Sequence, residues 1–362
     1  MFDGTLQLIS SVIGTAFPCA AVGVGVGHNV FVRQFYGYRQ INPSVAAITE
    51  DTLFDLASLS KLVATSMIAL KFIENGKLRL NDSISNFLDY TGNYYDCEIR
   101  HLMTHTSGMP AGIPLFSMQH KDGDALRTIL DADRCYKTGE DVIYSCMGYI
   151  VLQYILENIG NESLDELARK YVFDPLGMKN ACYNPVIINT NGEATPIAAT
   201  ERYPHTGEWA TGHVHDENAY FLGGVSGNAG VFATLDDMIS FAGMCSAKGA
   251  TKNGDAYLSG NTFDLAVKNY TPDKAESRGL GFQLKGTQDF PGGQLLSTGS
   301  YGHTGFTGTS LYIDSDSGLW GILLTNAVHY GRHNRSNYFS LRSSFYDMMI
   351  TEYKILREEG KI

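Results

Sequence analysis

The sequence predicts an α+β protein: an antiparallel sheet flanked by helices, with a mainly helical lobe inserted between the halves of the sheet. Three observations predict it. Strand-type patterns sit at both ends of the chain, helical spacing fills the middle, and 362 residues exceed what one hydrophobic core usually holds. The expected division is a discontinuous sheet domain, residues 1–56 with 270–362, and a helical domain, residues 57–269.

The elements follow in order. Residues 5–15 read as an amphipathic helix, and 20–36 as strands. In "CAAVGVGV-GHN-VFVRQFYGY", small and apolar residues alternate around a Gly27–Asn29 turn, a hairpin signal. From Leu59 to Glu74 the spacing becomes helical, and Leu62, Ile68, Leu70, Phe72 and Ile73 leave little polar face. Asn75-Gly76 supplies a left-handed stop. Further helices are expected around 83–89, 98–105, 147–159 and 163–173. Residues 183–231, rich in Asn, Thr, Gly and Pro, lose periodicity and read as a lid or binding loop. A short helix near 235–247 follows, then two strands in "TSLYIDSDSGLWGILLTN" around an Asp/Ser/Gly turn, and a last helix over about 336–358.

Composition narrows the function classes. A net charge of -11 and the absence of any basic run argue against a nucleic-acid surface, which needs clustered Lys and Arg. The apolar start lacks the positive n-region of a signal peptide, since Asp3 is its only charge. Longer apolar stretches are interrupted, so no membrane span is expected. Six scattered cysteines without C-x-x-C pairs suggest reduced thiols in a cytoplasmic chain, or an extracytoplasmic one if a leader has been removed. Oligomeric state is left open.

One short stretch carries chemistry. "SLSKLVAT" places Lys61 three residues after Ser58, on the same face of the expected helix. A serine hydroxyl is a poor nucleophile until something takes its proton. Desolvation lowers the pKa of a lysine and suits it to that task, while a helix N-terminus offers N–H groups to a developing oxyanion. Three companions strengthen the reading. "VIYSCMGYIVLQYILE" sets Tyr144 just before a helix, "YGHTGFTGTSLYID" puts His303, Thr304 and Gly305 on a strand, and "IRHLMTHTSGMP" closes a helix with a turn.

In this order and spacing the chain resembles the serine β-lactamase and penicillin-binding protein superfamily, particularly its class C β-lactamase-like branch, over about residues 15–330. "SLSK" matches the nucleophile motif, "YSC" the Tyr-x-Asn motif and "HTG" the Lys/His-Thr-Gly motif. The resemblance implies a β-lactamase/transpeptidase-like fold and a cofactor-free, metal-independent serine hydrolase working through an acyl-enzyme. Its substrates would be D-aminoacyl amides or esters, β-lactams or peptidoglycan-like peptides. Ser58 would be the acylated nucleophile, Lys61 its proton acceptor and Tyr144 the second acid/base. His303, Thr304 and Gly305 would form the substrate strand, binding a carboxylate or orienting the leaving group, and the N–H groups of Ser58 and Phe306 the oxyanion hole. One departure stands out: Cys146 takes the place of the family's Asn, whose amide ordinarily binds a side-chain carbonyl of the substrate. That puts amide-type substrates in doubt and keeps a carboxylesterase for small acyl esters, or a penicillin-binding sensor without turnover, as alternatives.

A zinc hydrolase is the rival class. His101 and His105 are four apart, and "HVHDE" adds His213, His215, Asp216 and Glu217. The first pair lacks the adjacent glutamate of H-E-x-x-H, so these histidines are expected to hold loops.

Overall fold

Alternation between two burial environments builds the central sheet. The structure, a computed structural model, describes residues 1–117, 125–188, 192–203, 207–286, 290–333 and 336–362. Strands β1 (Cys19–Val26) and β2 (Asn29–Gln40) form an antiparallel hairpin closed by Gly27 and His28. Along β1, Cys19 and Ala21 enter one core, while Ala20, Val22 and Val24 enter a second on the opposite face. Such two-sided burial explains why the strand has hardly any polar residue.

The remaining strands are β3 (Ala46–Ala47), β4 (Phe54–Asp55), β5 (Cys182–Tyr183), β6 (Val231–Ala233), β7 (Gln283–Leu284), β8 (Tyr301–Thr304), β9 (Thr309–Ile313) and β10 (Leu319–Thr325). Among the described residues, seven of them form one sheet in the order β3-β2-β1-β10-β9-β8-β7, with every pairing antiparallel. The chain's two ends thus meet at β1 and β10, in register from Ala20↔Thr325 to Val26↔Leu319. At Gly25 a side chain is not tolerated: a Cβ would sit 2.3 Å from the Trp320 ring, which crosses the strand and donates its Nε1–H to the Gly27 carbonyl. A smaller sheet, β4-β6-β5, lies outside this one.

The helices are α1 (Asp3–Ser10), α2 (Met67–Glu74), α3 (Ile99–Met103), α4 (Ala125–Asp131), α5 (Cys146–Gly160), α6 (Leu164–Ala168), α7 (Glu217–Phe221), α8 (Leu235–Ser246), α9 (Gly260–Ala266) and α10 (Ser336–Glu358). The two terminal helices cover one face of the sheet together. Glu352 of α10 accepts the Gly4 and Thr5 N–H groups at 2.8 and 2.9 Å, so a carboxylate caps the start of α1. Among the described residues no helix is long and apolar enough to cross a membrane.

Several boundaries differ from expectation. The helix expected over 83–89 is only a 3₁₀ turn, Ile84–Asn86, because Ile84 N–H bonds to Cys97 O and Ser83 bridges Glu98. The first helix stops at Ser10, where the chain turns back through an Ile13–Phe17 bridge into β1. The helix over 163–173 becomes π-type from Arg169. Residues 183–231 are not structureless: they contain α7 and contribute to the small sheet, and residues 189–191 and 204–206 lie outside the described residues.

Candidate active site

Ser58 sits where the small sheet turns into a helix. Leu56 N–H bonds to Val231 O, then Ala57 takes a left-handed conformation, φ +47°, and the helix starts at Leu59. Such a backbone is costly for a residue with a Cβ and persists only where the surroundings impose it. Asp55 imposes it here. Its buried carboxylate accepts the Ala57 N–H at 2.8 Å and the His215 N–H at 2.6 Å, tying the turn to the 213–216 segment. Two hydroxyls, one from the β8–β9 turn and one from the start of β9, complete the tie: Thr307 donates to Asp55 O at 2.7 Å and Thr309 to Leu56 O at 3.0 Å. Asp55, Thr307 and Thr309 carry no local motif, which is why sequence reasoning passes over them.

Lys61 lies fully buried in the π-type turn Lys61–Ser66 that precedes α2. Its ammonium donates to Ser58 Oγ at 3.0 Å, to the Asn228 carbonyl at 2.9 Å and to Cys146 Sγ at 3.5 Å, and it stands 4.9 Å from the centre of the Tyr144 ring. Burial pulls its pKa down, as expected from the sequence, but Cys146 and then Tyr144 push it up, and the net direction is upward. Lys61 is therefore not made a base by desolvation alone.

The segment after α3 holds Tyr144 and Cys146 in place. His105, left-handed at φ +59°, accepts the Ser145 N–H on Nδ1 at 3.1 Å. Ser145 donates to Pro110 O at 2.7 Å and accepts the Gly148 N–H as the cap of α5, while Cys146 N–H bonds to Ala111 O. The His105 imidazole, held well below its usual pKa by burial and by the nearby cations Arg278 and Lys61, packs 4.5 Å from the Tyr144 ring. The Tyr144 hydroxyl is buried and makes no hydrogen bond of ordinary length among the described residues, with the Lys61 ammonium beside its ring.

Strand β8 forms the opposite wall. Ser58, Tyr144, His303, Thr304, Gly305 and Phe306 line one cavity of about 290 Å³. Gly305 is required by closeness: a Cβ would lie 2.1 Å from Thr309 Oγ1 and 2.2 Å from Leu56 O. His303 is buried and donates Nδ1–H to the Thr304 carbonyl at 2.7 Å. Burial first, then Arg278 and Lys61, depress its pKa to about 3, so it is a neutral imidazole at physiological pH. It offers the cavity a ring nitrogen, not a positive charge. Sequence reasoning also missed Arg278 and Arg342, which line this cavity from the segment before β7 and from α10. Neither belongs to a recognisable spacing. A larger cleft of about 890 Å³, lined in part by His28, Lys71, Tyr171 and Tyr257, contains none of these residues.

The histidines of the zinc alternative are dispersed. His101 accepts the Glu98 N–H, His105 supports Ser145, His215 bonds Glu201 at 2.9 Å, and Glu217 pairs with Arg332. Among the described residues no three His, Cys, Asp or Glu side chains come together as a metal site would require.

A serine at the mouth of a helix, with a buried lysine one turn on and a strand facing it, is the arrangement at this cavity, and it fits a hydrolase. The chain belongs to the β-lactamase family, whose profile matches residues 7–343. It is 28% identical over 359 residues to an N-acetylmuramyl-L-alanine amidase from Bacillus subtilis (strain 168), covering 89% of this chain and 80% of that one. It is also 28% identical over 367 residues to a protein provisionally named D-alanyl-D-alanine carboxypeptidase from Salmonella paratyphi B, covering 90% and 82%. Among solved structures it is similar to EstCE1, a hydrolase with promiscuous acyltransferase activity, at a TM-score of 0.73 and 20% identity over 95% of this chain and 98% of that one. The octameric penicillin-binding protein homologue from Pyrococcus abyssi aligns with a TM-score of 0.71 and 17% identity, over 96% of this chain and 76% of that one. At these identities the structures speak for the fold alone.

Proposed function

We propose that this hydrolase acts through an acyl-enzyme on Ser58, toward amides or esters of the D-aminoacyl or β-lactam kind. The observation that carries the reading is the 3.0 Å bond between Ser58 Oγ and the wholly buried Lys61 ammonium. A buried cation is expensive, and this one is spent against the hydroxyl that needs a proton acceptor. In the proposed sequence Lys61, in its neutral form, takes the Ser58 proton as the hydroxyl attacks and returns it to Ser58 Oγ when the acyl-enzyme breaks down. Tyr144, with its buried hydroxyl, passes a proton to the leaving group and later draws one from the attacking water. The N–H groups of Ser58 and Phe306 bind the oxyanion. No step calls for a metal.

The names of the relatives support amide-type substrates, since one is an amidase and another is provisionally a carboxypeptidase. A specific observation favours a second reading, the carboxylesterase: Cys146 stands on Lys61 where an amide side chain would serve a substrate carbonyl. Intact-mass analysis after exposure to a penicillin and to a p-nitrophenyl ester panel separates these readings. A stable adduct on Ser58 with both supports the acyl-enzyme, an adduct from esters alone supports the esterase, and no adduct on Ser58 from either rejects both. Acylation by penicillin that never turns over would point to a sensor.

A further inference from the structure

We propose that Cys146 and Lys61 form an oxidation site, at which a peroxide closes the pair into a covalent Nζ–Sγ bridge, a sulfenamide, that shuts down the Ser58 centre until a thiol reopens it. The bridge stands on geometry, and its effect on turnover rests on the acyl-enzyme reading. Where the family carries an amide, this chain sets an oxidisable sulfur against a lysine: Cys146 Sγ lies 3.5 Å from Lys61 Nζ. Both partners are held there. Lys61 Nζ donates to Ser58 Oγ at 3.0 Å and to the Asn228 carbonyl at 2.9 Å, and the Cys146 N–H bonds to Ala111 O. Cys146 is half-buried, not sealed in the core, and a peroxide is scarcely larger than water. The other thiols differ. Cys19, Cys97 and Cys245 are buried and pushed up by desolvation, Cys182 is pushed up to about 11 for the same leading reason, and Cys135 is exposed. Among the described residues no other cysteine sulfur is hydrogen-bonded to a lysine.

The chemistry balances in two steps. In the first, Cys146 Sγ takes one oxygen of hydrogen peroxide as the O–O bond breaks; the thiol proton joins the departing hydroxide as water and a sulfenic acid remains. Negative charge building on the departing oxygen is met by the Lys61 ammonium and by the N-terminus of α5, which Cys146 opens. In the second, the neutral Lys61 amine attacks the oxidised sulfur. The N–S bond forms, the S–O bond breaks, and the hydroxyl leaves as water with one proton of the amine. The first step prepares the second: Cys146 is the first of the groups that push the Lys61 pKa up against burial, and a neutral sulfenic acid no longer does so. Overoxidation to the sulfinic acid needs a second peroxide, whereas Lys61 is already in contact on a flexible four-carbon stem, so the intramolecular closure wins. The bridge ties up the nitrogen that takes the Ser58 proton. A thiol then attacks Sγ, the amine leaves with that thiol's proton, and a second thiol frees Cys146 from the mixed disulfide. An asparagine at this position could do none of this.

Limiting hydrogen peroxide, followed by mass spectrometry and p-nitrophenyl acetate turnover, tests this. The wild type should lose the mass of two hydrogens, and digestion without reductant should release one species joining the Lys61 and Cys146 peptides, with the Lys61–Leu62 bond left uncut by trypsin. Turnover should fall by about 10²–10⁴-fold in the bridged fraction, the usual worth of a proton acceptor. Dithiothreitol should restore the mass, the tryptic cut and the rate together. Cys146→Ser should form no joined peptide and keep its own untreated rate through the same exposure, whereas Cys135→Ser should respond as the wild type does. Three results overturn the proposal: Cys146 carrying two or three added oxygens with no joined peptide, Cys146 left unmodified, or Cys146→Ser losing its rate to peroxide as fast as the wild type. The peptide map of the wild type decides the bridge even if Cys146→Ser does not fold. If the untreated protein turns over no ester and takes no acyl group on Ser58, the acyl-enzyme reading fails by itself, and the joined peptide still answers for the bridge.

Discussion

The two walls of the Ser58 cavity are built on opposite principles. On the helical side most of the polar groups are spent: Lys61 has three acceptors, Ser145 caps a helix and anchors to Pro110, and His105 is fixed by Ser145. Among the described residues the Tyr144 hydroxyl and the Asn228 amide nitrogen are exceptions. On the strand side His303 is held neutral, and two arginines keep nitrogen atoms without partners. The first wall has the fixed distances that the proposed proton transfers need, and the second keeps two guanidinium groups short of acceptors.

Mutations that attack one wall at a time break or sharpen this contrast. Ser58→Ala should have the largest effect: loss of fluorophosphonate labelling and at least about 10³-fold lower ester turnover. Labelling at another serine, or turnover within a few fold of the wild type, removes Ser58 from the mechanism. Lys61→Ala should slow acylation by about 10²–10⁴-fold with substrate affinity largely kept, because proton transfer is what it loses. A variant whose KM rises while kcat holds would show Lys61 to be a binding group instead.

Cys146→Asn tests the join between the walls. An amide at that position adds a hydrogen bond for an acyl-side carbonyl, about 0.5–1.5 kcal/mol or up to roughly tenfold in rate. Penicillin acylation should rise relative to that by p-nitrophenyl acetate, and an unchanged ratio in a folded variant would make Cys146 mere packing. The same variant removes the leading upward influence on Lys61. Acylation should therefore gain its deprotonated base at lower pH, and the rising limb of the pH–rate profile should move toward acid. A limb that stays in place or moves toward base would show that Cys146 does not hold Lys61 up.

The strand wall makes a smaller prediction about stability. His303 has a folded-state pKa near 3, below the ordinary histidine value of about 6.5, so below pH ~6.5 the unfolded chain binds a proton that the native one refuses. Its contribution is complete above that pH and is lost as pH falls toward 3, at up to about 1.4 kcal/mol per pH unit. His303→Gln should flatten the acid side of a denaturation-against-pH curve by one proton's share; an identical slope in the variant would show that His303 charges freely. The smallest expected effect is none: exhaustive dialysis against a chelator should leave esterase rates intact, and a loss reversed by zinc would reinstate the metal reading.

Legibility divides along the same line. Ser58 and Lys61 are three residues apart, Tyr144 and Cys146 two, and His303, Thr304, Gly305 and Phe306 adjacent, so each group appears as a short word in the chain. Elements with strong period, such as β1 and α10, are equally visible, since burial on defined faces dictates their residues. The short helices and two-residue strands are not, because partners far along the chain hold them: Cys97 truncates the helix expected at 83, and Val231 draws Leu56 into the small sheet. Arg278 reads locally as a turn residue and Arg342 as one more polar position on a helix.

Motif spacing alone determined which side chains are proposed to do the chemistry, since neighbours that share a turn or a strand are encoded by distance along the chain. Charge state was beyond it. That Lys61 is pushed up and not down, and that His303 is neutral, follows from which groups burial sets beside them: Cys146 is 85 residues from Lys61, and Arg278 is 25 from His303. Electrostatic interaction depends on separation through space and on exclusion of water, and only the folded chain determines either.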